Sequence, residues 1–201
     1  MSEVVDELQE LSVPLIGYEV FKVTGGSHER LDLIGGYTLR SHFVSNLLGK
    51  AEEVAVTLCT VGEGPEQRVG YYLSQGNPVR GVMLDEACNA ALKLLGRKAR
   101  ELILAVAMDN GINAGLPLWP GHDDWPLEQQ KVIFDLLQAD KMGIRLTDSY
   151  IMLPLKTISM IIGLGKSVPT EGTQCDYCAS REKCSDRHWV GGESKLSAVV
   201  G

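Results

Sequence analysis

Aromatic residues are scarce, 6% of the chain with only three phenylalanines, so a core has to be filled mainly by aliphatic side chains. Long apolar runs are missing: residues 102–108 and 158–165 are the most apolar stretches, well short of the ~20 residues a membrane-crossing helix needs. No membrane span is expected. The basic and apolar segments of a secretory signal are also missing, because Met1-Ser2-Glu3-Val4-Val5-Asp6-Glu7 is acidic, and no export is expected. There is no excess of positive charge. A net charge of −7 and a pI of about 5.1 argue against binding along a phosphate backbone, which requires a basic face to displace counterions. Repeats of fixed period and low-complexity runs are absent too, which removes solenoids and linker-joined modules.

What remains is a chain of 201 residues, 44% hydrophobic and 22% charged, able to bury a core in one domain with a small appendage. Its five cysteines are an odd number, and without an export signal they read as thiols or metal ligands in the cytoplasm.

Periodicity supplies a coarse layout. Residues 19–23 alternate and 55–61 are rich in β-branched side chains, which predicts strands. Residues 39–48 predict a helix stopped by Gly49. After Pro78, the residues Leu84, Cys88, Ala91, Leu92, Leu95, Ala99, Leu102, Ile103 and Val106 recur at helical spacing, with Glu86, Lys93, Arg97 and Arg100 opposite. That is a long amphipathic helix, ending near Asn110-Gly111, which suits a left-handed cap. A loop runs on to His122. Asp124 and Pro126 then open a helix through about Ala139, and 144–153 and 156–162 predict strands divided by Pro154. Helices and strands mix without a βαβ rhythm, so the expected class is α+β, an antiparallel sheet with packed helices over 1–168 and a cysteine-rich tail over 169–201.

The tail carries the most specific spacing, Cys175-x2-Cys178-x5-Cys184-x3-His188, in a polar segment with no core of its own. Metal binding would supply the ordering energy that burial cannot. Three thiolates and an imidazole suit zinc, and three thiolates with another fourth ligand suit an iron–sulfur cluster; the alternative is a metal-free, redox-labile tail. The spacing is similar to the auxiliary-cluster motif of some iron–sulfur enzymes, with His188 where a fourth cysteine would stand. Cys59 and Cys88 lie on predicted core positions and read as small hydrophobes. Residues 163–167 lack the first glycine of a phosphate loop, Met160 standing in its place, and Gly62-Glu63-Gly64 lacks the third glycine of a dinucleotide fingerprint. His28 and His42 stand without partners in the pattern. The stiff segment 115–125 reads equally as a binding surface or as a loop pinned by its tryptophans, with Asp124 capping a helix.

Residues 115–122, GLPLWPGH, followed by a helix of about a dozen residues and then 143–154, GIRLTDSYIMLP, resemble the P-G-Y-P-x-x-P-D-H, helix, G-I-x-L-T-E-S-x-x-M-x-P run of the reactivation domain of cobalamin-dependent methionine synthase. The long helix and Thr60-Val61-Gly62 are similar to shorter, free-standing members of that family. The resemblance implies a domain that docks over the corrinoid of another protein and returns oxidised cobalt to its methyl-accepting state, in that family with S-adenosylmethionine. Pro117, Pro120, His122, Thr147, Ser149 and Met152 match. The arginine and tyrosine that hold S-adenosylmethionine in the family fall on Gly111 and Leu116, which puts that ligand in doubt. Carried over, Leu116, Pro117, Trp119, Pro120, His122, Ser149 and Tyr150 are the expected corrinoid-facing residues. The expected partner is a corrinoid protein or a methionine synthase lacking its own reactivation domain, and Cys175, Cys178, Cys184 and His188 would hold an iron–sulfur cluster or zinc. Two other roles stay open, a non-catalytic metal-stapled adaptor and S-adenosylmethionine-dependent remethylation. The residues single out no general acid or base.

Overall fold

The computed structural model describes residues 2–179 and 181–183. Cys184 and His188 lie outside the described residues. The elements in order are α1 (Ser2–Leu11), β1 (Leu15–Ser27), β2 (Arg30–Leu33), β3 (Tyr37–Arg40), α2 (His42–Leu48), β4 (Glu53–Thr60), α3 (Gly64–Ser74), α4 (Pro78–Asp109), β5 (Asn113–Leu118), α5 (Gln130–Leu137), β6 (Arg145–Leu146), β7 (Met152–Leu153) and β8 (Thr157–Gly165). Six strands form one sheet in the order β3-β2-β1-β4-β8-β5, antiparallel throughout, and β6 and β7 form a separate hairpin. The class is α+β, as the mixed pattern predicts. Among the described residues no helix is long and apolar enough to cross a membrane.

The central strands β4 and β8 are buried on both faces, their side chains alternating between two cores. On β4, Val54, Val56 and Leu58 enter a large core with α2, α5 and Trp125, while Ala55 and Cys59 enter a second core against α4. β8 divides likewise, Ile161 to the first and Met160, Ile162 and Leu164 to the second. On β5 the phase slips. Ala114 faces α4 but Leu116 and Leu118 face the other core, because the register with β8 shifts between Ala114 and Pro117.

Helix α4 forms as its periodicity predicts, from Pro78 at the first helical position to a left-handed Gly111 (φ +66°), where the Ile112 N–H bonds back to the Ala107 carbonyl at 3.0 Å. Leu84, Cys88, Ala99 and Ile103 are buried as expected, whereas Leu102 is 39% exposed and Ala107 takes its place in the core. Helices α1 and α3, which the periodicity did not mark, pack on α4. Glu7 sits among them, accepting from Arg68 at 2.6 Å, Tyr72 at 2.5 Å and Arg80 at 3.1 Å. Burial would raise the Glu7 carboxyl, but the Tyr72 hydroxyl and the two guanidiniums outweigh it and hold the pKa below its ordinary value.

Three expected elements are corrected. The helix expected over 39–48 begins only at His42, because residues 37–40 pair with β2 as strand β3. The helix expected from Asp124 begins at Gln130, after a single 3-10 turn over Leu127–Gln129, and ends at Leu137. The strand expected over 144–153 is the β6–β7 hairpin, folded at a turn where the Thr147 N–H donates to the Ile151 carbonyl at 2.9 Å.

Candidate functional site

Residues 115–118 are not loop but the end of β5, the outermost strand on its side of the sheet. Leu116, 3% exposed, is a core residue, and Pro117 is half-buried beside it. The chain then turns sharply. Gly121 donates to the Trp125 carbonyl at 2.8 Å and Trp125 returns a bond to the His122 carbonyl at 3.0 Å, closing a tight turn with Gly121 and Asp123 in left-handed conformations.

This turn is fixed to the body at two adjacent positions. Trp125 is fully buried in the large core. Asp124 caps a helix, as one reading of the loop proposes, but the helix is α2, more than eighty residues earlier. Its carboxylate accepts from the Ser41 hydroxyl at 2.5 Å, the His42 N–H at 2.7 Å and the Phe43 N–H at 3.0 Å. Ser41 in turn accepts from the Val44 N–H at 3.0 Å, so two residues share one helix N-terminus. Burial opposes ionisation of Asp124, but these donors outweigh it and lower its pKa.

Just before those anchors the turn presents an aromatic group. The His122 ring stacks on Phe43 with centroids 6.1 Å apart and meets the edge of Trp119 at 6.4 Å. Its Nδ1 is buried with no hydrogen-bond partner, and burial lowers its pKa against the opposing pull of Asp123, which favours the neutral imidazole. Trp119 is half-buried and Pro120 buried. The expected residues are therefore only partly gathered. Trp119, Pro120 and His122 share the turn, whereas Ser149, exposed, and Tyr150, half-buried at φ +60°, lie in the β6–β7 turn.

The described part of the cysteine segment runs back to β5. Gln174–Tyr177 forms a 3-10 turn opened by a reciprocal cap between Thr173 and Asp176. Cys175 is 8% exposed and Cys178 half-buried. The Ala179 N–H donates to the Asp123 carboxylate at 3.0 Å. Among the described residues no group of three or more histidine, cysteine, aspartate or glutamate side chains is placed to hold a metal. The residues that sequence pattern missed are Phe43 and Asp123, whose partners are remote in sequence. It also missed a cleft of about 560 Å³ between Val13, Gly62, Gln67, Arg145 and Pro154, assembled from segments that no local motif links.

These elements define a class by architecture: an antiparallel six-stranded sheet with one long helix on one face, short helices on the other, and an edge strand that ends in a capped aromatic turn. Among solved structures the chain is similar to the crystal structure of the MetH reactivation domain bound to AdoHcy. The TM-score is 0.63 at 17% identity, over 90% of this chain and 70% of that one. At that identity the likeness establishes the fold. No family model and no curated protein matches the chain.

Proposed function

We propose that this protein serves in reactivation of a corrinoid protein, docking in trans on the corrinoid of a methionine synthase or corrinoid methyltransferase and supporting the reductive return of oxidised cobalt. The observation that carries the reading is the likeness to the MetH reactivation domain over 90% of the chain, joined to the turn that ends β5. Half-buried Trp119, His122 and Pro117, stiffened by the buried Pro120, form an apolar, partly aromatic surface suited to a flat macrocycle, and Ser149 and Tyr150 on the separate hairpin would meet the partner at a second place. Leu116 supports it from the core. Because Asp124 and Trp125 fix the turn before any partner arrives, little conformational freedom is lost on docking.

The division of labour follows the same reading: residues 1–168 form the docking body, and 169–201 form the metal-binding tail of a cytoplasmic protein. Cys175, Cys178, Cys184 and His188 would hold an iron–sulfur cluster, or zinc, and a cluster would supply a one-electron relay. A buried Cys175 beside a half-buried Cys178 in a capped turn is compatible with that donor set. S-adenosylmethionine in the family's manner does not fit. Gly111 offers no side chain and Leu116 is 3% exposed in the core, so neither can anchor a carboxylate.

Binding of purified, anaerobic protein to corrinoid-carrying proteins tests the reading. Trp119→Ala and His122→Ala should each weaken docking by about ten- to a hundred-fold, the scale of an interface hot spot. If Trp119→Ala instead lowers the melting temperature sharply while affinity for every corrinoid protein tested is unchanged, the turn is a packing element and the assignment fails. Broad visible absorption supports the cluster, whereas colourless protein with one zinc per chain shifts the role to a metal-stapled adaptor.

A further inference from the structure

Asp123 and Asp124 are neighbours that grip different parts of the molecule. Asp124 holds the N-terminus of α2, whereas Asp123 accepts from Ala179 in the cysteine segment, 56 residues later. Asp123 does so from a left-handed backbone (φ +54°), a conformation that aspartate and asparagine tolerate better than most residues. The cysteine segment is built onto this edge at a second place as well. The chain at 168–169 crosses β5 so closely that a Cβ on Gly115 would stand 3.3 Å from the Pro169 carbonyl oxygen and 3.5 Å from the Val168 Cβ. The thiol-bearing turn is braced internally, with Arg181 paired to Asp176 at 3.3 Å and its N–H on the Cys178 carbonyl at 3.2 Å.

We infer that Asp123 is a positioning residue, latching the turn that carries Cys175 and Cys178 to the aromatic turn of Trp119 and His122. One rigid turn thereby sets the place of both. The aromatic turn is referenced to the body through Asp124 and Trp125, and the cysteine turn is referenced to the aromatic turn through the carboxylate of Asp123. A contact that moves or stiffens the aromatic turn is passed towards the thiols through the charge-assisted hydrogen bond of Asp123. The latch stands on geometry alone, whereas its response to docking rests on the function proposed above.

Three substitutions separate the acceptor from the backbone. Asp123→Asn keeps an acceptor oxygen and tolerates the left-handed conformation, Asp123→Gly keeps the conformation and removes the acceptor, and Asp123→Ala removes both. Amide hydrogen exchange of the peptide spanning 174–179 is the readout, in full-length protein with its metal content measured. Asp123→Gly and Asp123→Ala should exchange there about tenfold faster than wild type, the scale of one lost bond in a local opening equilibrium. Asp123→Asn should stay near wild type, and exchange in β4 and β8 should not change. Wild-type protection in Asp123→Gly, or loss of protection in Asp123→Asn equal to that in Asp123→Gly, would overturn the latch. Docking a corrinoid-carrying protein should slow exchange at 174–179 in wild type and not in Asp123→Gly; docking without that slowing overturns the coupling. If no corrinoid protein docks while the three variants behave as stated, the latch stands and the functional reading falls.

Discussion

Towards α4 the sheet presents Ala55, Cys59, Ala114 and Met160, and towards α2 and α5 it presents Val54, Val56, Leu58, Leu116 and Leu118. On the first face these side chains, with Ile162 and Leu164, pack against one long helix that lies along several strands. The side chains of the second face hold up short helices and a turn, and the spaces between these are closed by single residues such as Trp125. One face is therefore organised by repetition along a helix, whereas the other depends on individual long-range contacts. The candidate site sits on the second face, where the geometry is set one contact at a time.

The strongest test of that contrast is Trp125→Ala. Removal of a fully buried indole should cost about 3–5 kcal/mol, seen as a large fall in denaturation midpoint, while Trp119→Ala six residues earlier should cost about 1 kcal/mol. Equal losses would mean that the turn is uniformly structural. Next in size is Glu7→Gln in the three-helix layer on the α4 side. Two guanidiniums and a phenol lose their ionic acceptor, at a cost of about 2 kcal/mol, reduced from that of a fully buried pair because both arginines are partly exposed. Urea denaturation gives the number, and no change would show that water replaces the pairing.

Asp124→Ala should cost about 1 kcal/mol as the loss of a helix cap, with amide exchange rising at the start of α2 rather than in α5. Loss of protection in α5 instead would mean that the carboxylate caps the helix that follows it. Both Glu7 and Asp124 have folded-state pKa values below their ordinary ones. Their contribution is fully present above the unfolded carboxylate range and is lost as pH falls through the lowered folded values. Acid titration of stability should accordingly be shallower in Glu7→Gln and Asp124→Ala than in wild type. The smallest effect on stability, none, is expected from alkylation at neutral pH. Cys59, whose thiol burial pushes up to about 12, should stay unlabelled in the folded protein, while the half-buried Cys178 reacts unless a metal holds it.

Helix α4 was readable because its signal is local: apolar residues three and four apart, a proline at the start, and Asn110-Gly111 at the end. The central strands were readable for the same reason, since alternation and β-branching are properties of neighbours in the chain. The helix expected over 39–48 holds only from His42, because Leu39 fits a helical stripe as well as a strand and only pairing with β2 decides for the strand. Asp124 shows the limit plainly. Its capping chemistry was correctly anticipated, but the helix it caps was not, because a carboxylate accepts from whichever free N–H groups the fold brings to it.

The sequence by itself determined the α+β class, the long helix, the structural placement of Cys59 and Cys88, and the residues from which a capped, aromatic turn could be made. These follow from periodicity and residue chemistry within one or two turns of chain. Only the tertiary structure decided that His122 stacks on Phe43 and meets Trp119 edge-on, that neighbouring aspartates hold α2 and the cysteine segment, and that the phase of β5 slips between Ala114 and Pro117. The physical reason is that hydrogen bonds and ring contacts act over a few ångströms, and which residues come within that range across 56 or 81 positions of sequence is set by packing of the whole sheet.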